Sequence, residues 1–126
     1  MRRLLDTNVW IDAMSGEPVA ARALTVAIAD EWCGLSAMTR LEVLSYSALT
    51  ESDMADWRML LASAAEVPIG DGVIEEAARL RRTVRMKTPD AIIAATALLE
   101  NAVLVTRNTG DFRRVPGLTV MEPAAA

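Results

Sequence analysis

The sequence predicts an α/β fold with a largely parallel central sheet. Three observations carry that expectation. Short runs rich in Leu, Val and Ile alternate with segments of helical period, a β–α order that argues for parallel strands joined by crossover helices. The chain has 126 residues, enough for one domain with a proper core, and 52% of them are hydrophobic. Acidic residues stand where the apolar runs begin and end, and open parallel sheets bind ligands at the carboxyl ends of their strands.

Taken in order, Arg3–Asp6 reads as a short strand that runs into a turn at Thr7-Asn8. Pro18 to about Asp30 is an amphipathic helix, with Val19, Ala23, Val26, Ala27 and Ile28 as its apolar residues. Trp32–Leu35 is a strand, and Met38 to about Leu49 a helix. Ser52 can cap a further helix, whose apolar side carries Met54, Trp57, Leu60 and Leu61. Glu66–Ile69 is a strand, and Asp71 then caps a helix to about Val84, with Val73, Ala77 and Leu80 on one face. Thr88-Pro89 opens the next helix, Thr at the N-cap and Pro at the first helical position. Ala102–Thr106 is a strand, Asn108–Gly110 a loop, and Leu118–Met121 a last short strand. There is no repeat and no linker, so residues 1–126 read as one domain, with residues 123–126 a frayed tail.

Composition removes several chemistries. There is no histidine, which excludes Ser-His-Asp and Cys-His catalysis and any His-based zinc site. Cys33 is the only cysteine, so there is no intrachain disulfide and no thiolate cluster. The apolar stretch Ala91–Leu99, broken by Thr96, is far short of the roughly 20 residues that span a bilayer. The first residues lack a signal peptide's apolar run. A cytoplasmic protein with no membrane attachment is the expectation.

The net charge of −4 hides an asymmetry. Residues 1–78 carry 5 basic against 13 acidic residues, whereas residues 79–114 carry 8 against 3. The basic excess gathers in RLRRTVRMK, directly before Asp90. A solvated helix face with a Glu75–Arg79 pair would account for it. Beside an acidic cluster, a polyanion such as RNA or DNA is the better reading.

Four acids form that cluster: Asp6 in LLDTN, Glu42 in MTRLEVLSY, Asp90 in KTPDAIIAATAL and Asp111 in TRNTGDF. Each has an ordinary alternative. Asp6 could open a turn, and Asp111 sits in a turn-rich loop. Glu42 could snorkel from the edge of an apolar stripe, and Asp90 suits a helix N-terminus without any function. Together they are harder to dismiss. Converging carboxylates beside apolar runs repel one another unless a cation holds them. Oxygen donors without His or Cys suit Mg²⁺, with Mn²⁺ as a substitute.

The segments LLDTNVWID, LSAMTRLEVL, RMKTPDAIIAATALLENAVLVTRNTGDF and PGLTVMEP resemble, in order, the PIN-domain proteins of the VapC toxin type. The resemblance spans nearly the whole chain and is weakest over residues 49–70. It implies a three-layer αβα sandwich, a metal-dependent endoribonuclease acting as the toxin of a toxin–antitoxin system, a homodimer, and a cognate antitoxin that neutralises it. It implies metal ligation by Asp6, Glu42 and Asp90, with Asp111 as fourth ligand assisted by Asn108. Thr7, Asn8 and Thr106 match supporting positions that orient the carboxylates or an attacking water.

The expected chemistry is in-line attack of a metal-activated water on an RNA phosphodiester. Arg82, Arg85, Lys87 and Arg107 are candidates to grip flanking phosphates. A haloacid dehalogenase phosphatase would want a second Asp where Asn8 stands, and a phosphorelay receiver a Lys after a late strand. Neither glycine signature of a nucleotide-binding module occurs. The remaining alternative is a PIN-like module that binds RNA or protein without cutting.

Overall fold

In the computed structural model, which describes residues 1–126, β1 (Arg2–Leu5) forms the centre of a five-stranded sheet. The order is β3-β2-β1-β4-β5, with β2 at Trp32–Ser36, β3 at Ala65–Val67, β4 at Val103–Val105 and β5 at Val120–Met121. Every pairing is parallel, so the expected largely parallel sheet is wholly so. The chain builds outward from β1 through β2 to β3, then returns to the other side for β4 and β5. The direction of growth therefore reverses between β1 and β4, where α/β sheets open their binding crevice.

Side-chain alternation divides the core in two. Leu4 and Leu104 point to one face, where they meet α5 (Asp71–Thr83) and α6 (Thr88–Leu99) through Val73, Ala77, Leu80, Ala91, Ile93 and Ala94. Leu5, Leu35 and Val105 point to the other. There they meet α1 (Thr7–Met14), α2 (Pro18–Ala29), α3 (Ala37–Leu44) and α4 (Glu51–Ala62) through Trp10, Leu24, Val43 and Trp57. These are the three αβα layers. The longest helices have 13 residues at most, and none is long and apolar enough to cross a membrane.

Several expectations are corrected. The turn expected at Thr7-Asn8 is helix α1, which Asp6 caps by accepting from the Thr7 N–H. Thr, Val and Ile have modest helix propensity, and it is burial of Val9 and Trp10 that holds this short helix. The helix expected to reach Leu49 ends at Leu44, where the Ser45 hydroxyl turns back to the Leu41 carbonyl. Caps fall one or two residues earlier than expected: Thr50 rather than Ser52, Gly70 rather than Asp71, Lys87 rather than Thr88. β3 likewise starts at Ala65 and stops at Val67, before Pro68. The loop expected at Asn108–Gly110 gives way to a single turn, α7 (Thr109–Phe112), fixed by the buried Phe112. Arg79 pairs with Glu76 rather than Glu75. The tail expected to fray forms a 3₁₀ turn, Pro123–Ala125, against α2.

Candidate carboxylate site

Strand ends and helix starts bring the acids together. Asp6 leaves the carboxyl end of β1, the strand beside the reversal point. Its carboxylate accepts from the Thr7 N–H at 2.8 Å, the Asn8 side-chain amide at 3.3 Å and the Thr106 hydroxyl at 2.8 Å. Thr106 follows β4 directly, and its own hydroxyl accepts from the Asn108 N–H at 3.0 Å. Glu42 comes from α3, whose start follows β2. The Thr7 hydroxyl donates to its Oε1 at 2.7 Å and lies 3.1 Å from the Thr39 hydroxyl. Asp90 sits in the first turn of α6, where the helix dipole favours a negative charge.

Asp6, Glu42 and Asp90 line one open pocket of about 440 Å³, together with Thr7, Asn8 and Asn108. Asp111 does not line it. It stands close enough to Asp90 to raise that residue's pKa, and accepts from the Asn108 side-chain amide at 2.9 Å. The larger cavity of about 590 Å³ lies elsewhere, in an apolar groove of α5 and α6 that holds no carboxylate. The acid pocket is smaller and more polar, and it holds the two carboxylates whose pKa burial raises, Asp6 and Asp90.

Burial dominates the electrostatics. Asp6 is 5% exposed, and loss of hydration pushes its pKa up to about 6. The Thr106 and Thr7 hydrogen bonds oppose that rise, while the nearby Asp90 and Glu42 charges add to it. Asp90 is also raised, first by burial and then by Asp111, with Lys87 pulling the other way. No basic side chain forms a salt bridge with Asp6 or Asp90.

The basic residues are scattered. Arg107 lines the acid pocket, but its Nε is 2.7 Å from the Asp12 carboxylate, so it arrives paired. Arg82 lines the α5–α6 groove instead. Arg85 and Lys87 are exposed on the loop before α6, and Lys87 is its N-cap. Sequence reasoning missed Thr39, Asp12 and Tyr46, of which the last two line the pocket. The signal for Asp12 was present: Asn8 and Asp12 share a face once residues 7–14 are read as helix.

The donor set fits a hard divalent cation, being carboxylate, hydroxyl and amide oxygens around an acid with no cationic partner. No three acids close on one point as they stand, as expected of like charges sharing a pocket.

Residues 3–118 match the PIN domain, and the chain belongs to that family. A protein from Mycobacterium tuberculosis named ribonuclease VapC19 is 30% identical over 122 residues, 92% of this chain and 96% of that one. A toxin–antitoxin complex from Klebsiella pneumoniae contains a chain with TM-score 0.83 and 36% identity, covering 96% of this chain and 97% of that one. The DNA-bound VapBC of Salmonella typhimurium has TM-score 0.84 at 19% identity, 98% of each chain covered, which speaks for the fold alone. Within the PIN-domain family this chain is of the VapC type.

Proposed function

We propose that this chain is the ribonuclease toxin of a toxin–antitoxin pair, a Mg²⁺-dependent endoribonuclease. The observation that carries the reading is the meeting of Asp6, Glu42 and Asp90 in one polar pocket beside the sheet's reversal point. The kinship with a protein named ribonuclease VapC19 supplies the reaction class, and likeness to a chain of a toxin–antitoxin complex supports a cognate antitoxin. Asp6, Glu42 and Asp90 would hold the cation, with Asp111 and Asn108 completing the site from its rim. The cation, once bound, supplies Lewis-acid stabilisation of phosphate charge and makes a water more acidic.

The chain's own residues do the rest. Thr106, Thr7 and Asn8 fix the Asp6 carboxylate from three sides, so its oxygens need little reorganisation at the moment of reaction. Thr7 holds Glu42 by its hydroxyl and so ties α1 to α3 across the pocket. The fixed carboxylates can orient a water for in-line attack on the phosphodiester. Arg107, released from Asp12, would meet a flanking phosphate, and Lys87, near enough to Asp90 to lower its pKa, would draw the strand toward it.

The test is cleavage of total cellular RNA by purified chain, mapped by sequencing new 5′ ends. Discrete Mg²⁺-dependent ends are expected, abolished by EDTA and reduced at least 100-fold in a folded Asp90→Asn protein. RNA binding with undiminished cleavage in Asp90→Asn would remove that ligand role. Binding with no cleavage under any divalent cation would favour a non-catalytic PIN-like module.

A further inference from the structure

Of the chain's five aromatic side chains, Trp10 and Phe112 are enclosed, Trp57 is 8% exposed, and Trp32 lies under the Arg2 guanidinium. Tyr46 alone is exposed, at 39%, and it lines the acid pocket. It follows Glu42 by four residues, one turn on, just past the end of α3. Its ring stacks on Trp57 with centroids 6.0 Å apart and planes 11° from parallel. Trp57 belongs to α4, which the hydrophobic core fixes, so the Tyr46 ring is positioned from outside the pocket it lines.

We propose that Tyr46 is a stacking platform for a base of single-stranded RNA next to the phosphate that enters the pocket, a role that rests on the ribonuclease reading above. Single-stranded nucleic acid offers bases free to stack, and proteins that take it without strict sequence preference pair backbone contacts with aromatic faces. Here Arg107 and the acid pocket would take the backbone and Tyr46 would offer the aromatic face, since both residues line the same pocket. A ring already backed by Trp57 loses little freedom when a base settles on it. The ordinary alternative is that Tyr46 merely covers Trp57, a task leucine would perform equally well.

That difference sets the experiment. Binding of a fluorescein-labelled random-sequence RNA 12-mer is measured by anisotropy in Mg²⁺, in an Asp6→Asn background that keeps the RNA uncut. The Tyr46→Phe, Tyr46→Leu and Tyr46→Ala substitutions are compared in that background, with circular dichroism confirming the fold. Phe should bind within about two-fold of Tyr, while Leu and Ala weaken binding about five-fold or more, the lower end for losing one stacked base. Binding by the Leu protein as tight as by the Tyr protein overturns the platform and leaves Tyr46 to cover Trp57 or meet a protein partner. Failure of the background protein to bind RNA overturns the platform, and joined with no cleavage by the unmutated chain it overturns the ribonuclease reading as well.

Discussion

Asp6 makes the folded chain hold a proton that the unfolded chain would release. Its pKa is about 6 folded against an ordinary 3.8, because burial opposes its charge. Between those values the folded state binds more protons than the unfolded one, so stability falls as pH rises through the window and stays lower above it. A shift of about two units corresponds to ~3 kcal/mol. In EDTA, Asp6→Asn should therefore unfold at higher urea than wild type at pH 7.5, with the gap shrinking by up to ~3 kcal/mol toward pH 4. Asn accepts fewer of the three hydrogen bonds, which lowers the gain at every pH but not its slope. A gap that does not change with pH would sink this account. Residues of this kind were legible in the sequence because a charge beside an apolar run needs a reason. Thr39 and Tyr46 were not, since a buried threonine and a tyrosine in a loop are individually ordinary.

Elements were legible where periodicity was long and obscured where packing overrode it. α2, α5 and α6 declared themselves, whereas α1 and α7 are held by one or two buried side chains each. β2 shows a constraint that no pattern reveals. A Cβ at Gly34 would lie 2.0 Å from the Trp32 ring, which crosses over that glycine and also carries the Arg2 guanidinium 4.2 Å from its centroid. Gly34→Ala must displace the ring and should cost about 1–3 kcal/mol in urea unfolding, as overpacking does. The end of α5 carries the opposite opportunity. Arg85, just past its C-cap, has φ +61°, the left-handed region that glycine occupies without strain. Arg85→Gly should stabilise the chain by about 0.5–1 kcal/mol, raising Tm by roughly 2–5 °C. An unchanged or lower Tm would show that the arginine side chain contributes more than its backbone costs.

At the scale of the whole molecule, the proposed cation would bridge three pocket acids drawn from two helices and a strand end, so its binding would stabilise the fold. A divalent ion that binds only the folded state adds about 2.7 kcal/mol at 100 times its Kd. Mn²⁺ should therefore raise the Tm of wild type and leave Asp6→Asn and Asp90→Asn nearly unmoved; equal shifts in all three would place the ion elsewhere. Fold class was readable from the β–α alternation, but the strand order and the pocket's closure were not, because they depend on partners far apart in sequence. The hydrogen bond between Thr106 and Asp6 joins residues 100 positions apart. That separation has a consequence in time. A ribosome that has assembled the first 100 residues has already made all three pocket acids, yet β4 and the hydroxyl that steadies Asp6 do not exist. A growing chain thus cannot hold the Asp6 carboxylate as the finished fold does until its final fifth emerges.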